Sequence, residues 1–213
     1  RNKMEFSFSN KRWILNENDL GENKNFALGL HVPGRYDKIL NINNCHLQHK
    51  TANAILNFVK DECIEQNIEP YNIKKHTGFI RHLMLRVGIK TNQIMVNLVT
   101  AYENKKILLP LASKLVKKFP EITSIVNNIN SRKADIAFGE KEIKLAKNNY
   151  IIDMIGKFEF EISANSFFQT NTLQAEKLYE VIKEQCNFIG NEIVYDLYSG
   201  IGTISIFLSR FVK

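Results

Sequence analysis

Cysteine is scarce in this chain, and the three that occur, Cys45, Cys63 and Cys186, are odd in number and show no paired spacing. That excludes a disulfide framework as the organising device. Long apolar runs are missing too. No stretch approaches the roughly 18 residues that cross a bilayer, and the opening "RNKMEFSFSN" lacks the apolar centre of a signal peptide. The expectation is a cytoplasmic protein with no membrane association. Acidic residues are outnumbered, 22 against 29 basic ones. No internal repeat or low-complexity tract appears beyond a general richness in Asn, Lys and Ile. What is present is a globular composition, 44% apolar and 24% charged over 213 residues, enough for one large or two small domains. Because the chain opens on Arg1 and stops at Lys213, soon after a strand-turn-helix pattern, a stretch of a longer protein is expected. Its oligomeric state is not legible.

The charge is uneven. Residues 1–150 carry 24 Lys and Arg against 14 Asp and Glu, a surplus of ten, whereas residues 151–213 carry 5 against 8. A basic surplus favours a polyanionic partner, since each phosphate neutralised releases a counterion. Lys74, Lys75, Arg81 and Arg86, gathered around "KKHTGFIRHLMLR", are the candidate RNA contacts. The alternative is a solvated face that keeps the chain soluble.

Apolar residues alternate at Met4, Phe6, Phe8; at Phe26, Leu28, Leu30, Val32; at Leu83, Leu85, Val87; at Ile94, Val96, Leu98; and at Phe158, Phe160, Ile162. Period two predicts strands. Helices are predicted near 50–66, with Ala52, Ile55, Leu56, Val59 and Cys63 on one face, near 110–119, opened by Pro110, and near 172–186. This is an α+β pattern. The polar stretch "GEKEIKLAKNNYI" places a soft boundary near Tyr150, giving domains 1–150 and 151–213.

Near the end, "EIVYDLYSGIGTISIFLSRFVK" predicts a buried strand over 192–197, a glycine turn over 199–203 and a helix over 204–212. As a dinucleotide fingerprint the turn departs from pattern, with Ser205 at the third glycine position and an acid, Asp196, four residues before Gly200. An acid-x-x-x-G-x-G loop suits S-adenosylmethionine, because glycines let backbone approach the cofactor closely. A plain tight turn is the competing explanation. Upstream, "SANSFFQTNTLQAEKLY" sets two aromatics and an amide between a strand and a helix. On their own, Phe167 and Phe168 read as core and Asn171 as a helix cap.

Ser166-Phe-Phe-Gln-Thr-Asn171, about thirty residues ahead of "YDLYSGIGT", resembles the RNA uracil-5-methyltransferase family, which makes 5-methyluridine in 23S ribosomal RNA and transfer RNA. "RNKMEFSF", "LGLHVPGRYDKILNINNCHLQ" and "HTGFIRHLMLR" are similar to further family segments, so the resemblance covers essentially the whole chain. It implies an α+β central domain, an antiparallel-rich mixed sheet with helices, followed by the first strand-helix unit of a Rossmann-like α/β methyltransferase domain. It implies S-adenosylmethionine as cofactor. Gln169 would lie at the cofactor and target-base pocket with Phe167, Tyr198 would pack on the cofactor, and Asp196, Gly200, Gly202 and Thr203 would form the loop beneath it. Ser199 departs from relatives, which often have Cys there.

In the family a cysteine thiolate adds at uracil C6, the enolate attacks the cofactor methyl and a carboxylate removes the C5 proton. Relatives carry both groups downstream of the position that matches Lys213, so the resemblance implies no catalytic residue between Arg1 and Lys213. Cys63 and Cys186, on predicted helices, read as packing residues. Cys45 would be the fourth ligand of a 4Fe-4S cluster in a longer protein, while His46 and His49 lack a second ligand pair for zinc. The partner implied is RNA, ribosomal or transfer. A non-catalytic RNA-binding or interaction module is the alternative.

Overall fold

A computed structural model describes residues 1–15, 25–134 and 136–213. Eight strands, β1 (Lys3–Ser9), β2 (Arg12–Trp13), β3 (Ala27–Val32), β4 (Arg35–Asn41), β5 (Ile80–Val87), β6 (Ile94–Thr100), β7 (Ile122–Ile129) and β8 (Lys141–Lys147), form one mixed sheet in the order β2-β4-β3-β1-β5-β6-β7-β8. All neighbours run antiparallel except β2 with β4 and β6 with β7. A parallel pair needs a crossover. For β6 and β7 helix α2 (Lys105–Lys118) supplies it, following helix α1 (Lys50–Glu65) in the chain.

The register turns the alternation into two faces. Met4 and Phe6 pair with Leu85 and Leu83, while Lys3, Glu5 and Ser7 pair with Arg86, Met84 and His82. The first set joins Ile55, Leu56, Val59 and Cys63 of α1 and Leu108, Leu111 and Leu115 of α2 in the larger core. Each such side chain removed from water contributes about 1.5–3 kcal/mol.

Helix α2 starts five residues before the expected Pro110. Asn104 accepts from Ile107 N–H at its start, and Pro110 sits inside the helix. The proline removes one ladder donor, and the helix nevertheless continues past it, with Leu108 before it and Leu111 after it both buried. The polar 139–151 stretch holds strand β8 and the start of the next. β8 is an edge strand, and its Lys141, Lys144 and Lys147 are the residues that blunt an exposed edge.

Between Lys147 and Tyr150 the chain changes sheets. β9 (Tyr150–Ile155) and β10 (Phe158–Ser163) form a two-stranded ribbon turned at Gly156, and helices α3 (Thr172–Cys186) and α4 (Thr203–Leu208) pack on it. Ile151, Ile155, Phe160, Ile162, Phe168, Tyr179 and Phe207 form a second core that also takes Met84, Met95 and Val126 from the other face of the large sheet. The turn between β5 and β6 grips this unit: Thr91 donates to Ile152 O, Ile152 N–H donates to Gln93 (2.9 Å), and Lys90 N–H donates to Asp153 (3.0 Å).

Residues 192–197 form no strand. They have no regular secondary structure and are mostly exposed, and no strand among the described residues pairs with them. An apolar segment becomes a strand only where a neighbour takes its backbone groups. Here a single backbone bond reaches the segment from the chain's last residue, Lys213 N–H donating to Glu192 O at 3.0 Å. The helix beyond the glycine turn is six residues, shorter than the expected 204–212, with Phe207 and Leu208 inward. No described helix is long and apolar enough to cross a membrane.

Candidate cofactor and RNA site

The loop between β10 and α3 and the glycine turn before α4, separate in sequence, meet in space. Phe168 is 3% exposed, with its ring centroid 6.1 Å from Phe160, whereas Phe167 is 68% exposed. The core expectation for both aromatics therefore holds for Phe168 alone. A Cβ on Gly200 would lie 3.9 Å from Phe167 Cβ, so the aromatic lies beside the turn with room for about one methyl group between them. Asn171 caps α3, its Oδ1 accepting from Gln174 N–H at 3.2 Å. Gln169 is half-buried, and its carbonyl accepts from Asn2 Nδ2 at 2.8 Å.

The turn is built from left-handed residues: Tyr198 at φ 68, Gly200 at φ 59 and Gly202 at φ 74. Glycine adopts this region without strain; tyrosine does so at a cost of order 1–3 kcal/mol. The Tyr198 side chain is fully exposed. Over Gly202 an added Cβ would meet only Ser205 and Ile206, from 3.4 Å outward. An added Cβ at either glycine would make only ordinary van der Waals contacts, and the Tyr198 ring beside them is uncovered. Thr203, directly after Gly202, opens helix α4. It is buried, and its hydroxyl shares a 2.8 Å hydrogen bond with Tyr179 Oη. Asp196 is half-buried, with Oδ2 lacking a hydrogen-bond partner. Burial pushes the Tyr179 phenol up, the Thr203 hydrogen bond works against this, and the nearby Asp196 carboxylate adds to the rise. Lys213, beyond which the family's thiol and base are expected, is exposed and brings no side chain to the turn among the described contacts; its part is the backbone bond to Glu192.

Two of the four basic candidates are corrected. Arg81 is 1% exposed, and its guanidinium donates to the carbonyls of Asn130, Arg132 and Ala134 at 2.5–2.7 Å while stacking on Tyr71 at 4.2 Å. Arg86 is 2% exposed and donates to Ser166 O at 2.9 Å. Burial pulls its guanidinium down to about 10, against the opposing pull of Glu5. Both face inward because period two on a central strand puts every side chain against one core or the other. Lys74 and Lys75 are exposed, in a turn where the Asn72 side chain accepts from both their N–H groups at 3.0 Å. Lys74 pairs with Asp37 at 2.7 Å and lies over the Tyr36 ring. They precede the start of β5, whereas the Phe167 loop meets its end, a span of about 20 Å along the strand.

Cys45 is buried at the edge of the larger core, its N–H donating to Asn53 at 2.9 Å. Among the described residues no group of three or more His, Cys, Asp or Glu could hold a metal ion. Cys45 is therefore a single thiol, and its part as a fourth iron-sulfur ligand, which the resemblance implies for a longer protein, stays an expectation. Cys63 packs in the core, and burial pushes its thiol well up. Cys186, expected to pack, is exposed at the end of α3, where the helix leaves the core. Asn2, Asn128 and Asp153 were not among the expected site residues, yet they anchor the Phe167 loop and α3. The one legible signal was an acid, Asp153, amid the apolar "YIIDMI".

No protein-family model matches the chain. An uncharacterized RNA methyltransferase of Chlorobaculum tepidum is 42% identical over 218 residues, covering 100% of this chain and 45% of that protein. One of Porphyromonas gingivalis is 36% identical, covering 98% and 46%. The crystal structure of Pyrococcus abyssi tRNA (uracil-54, C5)-methyltransferase, in complex with S-adenosyl-L-homocysteine, superposes with a TM-score of 0.72 at 28% identity, over 99% of this chain and 46% of that one. With the Ser166–Asn171 loop lying beside the glycine turn, these likenesses show that the chain belongs to the RNA uracil-5-methyltransferase family and spans about half the length of the relatives it matches.

Proposed function

We propose that the chain serves an S-adenosylmethionine-dependent RNA (uracil-5-)-methyltransferase by bringing an RNA-contacting region to the cofactor turn. The nearness of Phe167 to Gly200, close enough that an added Cβ would touch it at 3.9 Å, supports this reading, because it brings the family's aromatic-amide loop beside the turn expected under the cofactor. Residues 1–150 form the basic, RNA-contacting domain and 151–213 the opening part of the methyltransferase domain. Tyr198, Gly200 and Gly202 hold the cofactor, with Asp196 at the edge of the turn. When bound, S-adenosylmethionine supplies the electrophilic methyl group. Phe167 offers a face on which a flipped uracil stacks, and the Gln169 amide pairs with its polar edge. Lys74 and Lys75 contact phosphates at a distance from the target base. The attacking thiol and the proton-removing carboxylate are, by the resemblance, those that relatives carry downstream of the position matching Lys213. An iron-sulfur cluster is not part of this reading.

The first substrate to test is 23S ribosomal RNA in the cytoplasm, and the second is transfer RNA, on which the Pyrococcus abyssi protein acts. A polypeptide of the relatives' length that includes this chain is given tritiated S-adenosylmethionine and each RNA, and the digested nucleosides are separated. Label in 5-methyluridine, lost on Gly200→Val, is expected. Label in another nucleoside, or none, overturns the proposal.

A further inference from the structure

The loop that carries Phe167 and Gln169 is held at several points by residues far away in sequence. Asn2 Nδ2 donates to Gln169 O at 2.8 Å and to Thr172 Oγ1 at 2.9 Å, and Asn2 N–H donates to Thr170 O at 2.8 Å. Arg86 Nη2 donates to Ser166 O at 2.9 Å. Asn165 Nδ2 donates to Asn128 Oδ1 at 3.0 Å, and Asn128 in turn donates to Asn97 Oδ1 at 3.1 Å. Asn2, Arg86, Asn97 and Asn128 are all essentially buried. The anchors belong to the large sheet or its leading residue, and the loop belongs to the second unit.

Arg86 is the informative member. A guanidinium has five N–H donors, yet the described contacts give it one hydrogen bond, and its Nε and Nη1 are buried without a partner. A buried charge so poorly bonded opposes folding, and an apolar side chain of similar volume is commonly neutral or better at such a place. Packing therefore does not explain an arginine here. What methionine could not do is hold the carbonyl of Ser166, the residue directly before Phe167.

We propose that Arg86, Asn2 and Asn128 are positioning residues. They fix the backbone on both sides of Phe167 and Gln169, so that the aromatic face and the amide stand ready for the base instead of being ordered at the moment of binding. This deepens the reading of Phe167 and Gln169 as the target-base residues and rests on it. The sheet that carries the RNA-contacting surface is thereby also the template for the loop that reads the base.

The test uses the chain itself with a trifluoromethyl-phenylalanine at the exposed position 167, read by fluorine NMR beside the thermal unfolding midpoint. One sharp resonance is expected for the parent. Arg86→Met should split or broaden it while the midpoint stays level or rises, Arg86→Lys should restore most of the single resonance, and Asn2→Ala should broaden it as well. An unchanged resonance in both Arg86→Met and Asn2→Ala overturns the proposal, as does broadening matched by an equal loss of midpoint, which marks a merely structural role. Should Arg86→Met fail to fold, Arg86→Lys and Asn2→Ala decide by the same criteria. Adding a uridine hairpin and its cytidine counterpart separates the two ideas. Broadening by the variants without any uridine-dependent shift in the parent keeps the positioning and removes the target-base assignment.

Discussion

Residues 122–129, "ITSIVNNI", and residues 192–197, "EIVYDL", look alike on paper, both short, apolar and rich in β-branched residues. The first is strand β7, bonded to β6 on one side and β8 on the other, buried nearly throughout and able to absorb asparagines at Asn127 and Asn128. The second lies open, with Ile193, Tyr195 and Leu197 mostly in solvent. Composition does not separate them; neighbours do. In β7 the Asn127 amide donates to Leu98 O at 2.7 Å and Thr100 Oγ1 at 2.9 Å, so even its polar side chains are accommodated by the adjoining strand. Strand character is a property of a pair, and a single segment carries only the disposition.

The largest effect should come from truncating each kind of region in turn. Leu83→Ala, in the middle of the large sheet, is expected to cost about 2–5 kcal/mol by the usual penalty for emptying a core site. Ile193→Ala should change stability by less than about 0.5 kcal/mol, as exposed positions do. Urea unfolding followed by circular dichroism measures both, and equal losses would mean that 192–197 has a partner in solution.

A smaller effect contrasts two glutamates of the sheet domain. The hydrogen bond from Lys114 holds the Glu62 carboxyl below its ordinary range, with burial opposing. Its contribution is present above the unfolded value and is lost as pH falls through the lowered one. Burial pushes the Glu142 carboxyl up, with the Asn128 hydrogen bond opposing. Its fit to the fold is complete below the unfolded value and is lost as pH rises through the raised one. Unfolding at several pH values should therefore show Glu62→Gln less stable than the parent at neutral pH, by a modest amount because Lys114 is half-exposed. Glu142→Gln should be level or more stable there, and the same sign for both variants would contradict this assignment.

The smallest effect concerns RNA. With about four phosphates contacted, log affinity should fall against log salt with a slope near −3, from roughly −0.7 per phosphate on single strands. Replacing Lys74 and Lys75 with alanine should flatten the slope by about one unit and weaken all sequences alike. Filter binding across salt concentrations reads it. Arg81 is left out of this set because its guanidinium is spent on three carbonyls of the 130–134 segment.

Period two and the 3.6 repeat made most elements legible: β1, β3, β5, β6 and β10 fall where apolar residues alternate, and α1 and α3 run over 50–65 and 172–186. Asn171 as the cap of α3 was readable because a cap needs only its own next turn. The glycine turn was readable for the same reason, since positive φ at Gly200 and Gly202 is a local demand.

What the sequence by itself determined were the features whose cause lies within a few residues: the alternation, the caps, the turn, the scarcity of cysteine and the pairing of "SFFQTN" with "YSGIGT" that marks the family. Only the tertiary structure decided the rest. It placed Phe167 outside and Phe168 inside, buried two arginines that looked like phosphate contacts, put Asn2 beside Thr172, and left 192–197 without a ladder among the described residues. The physical reason is that burial and hydrogen bonding between elements depend on which distant segment lies opposite. Arginine in a strand reads the same whether solvent or a loop carbonyl faces it; here Ser166, eighty residues further along the chain, meets Arg86.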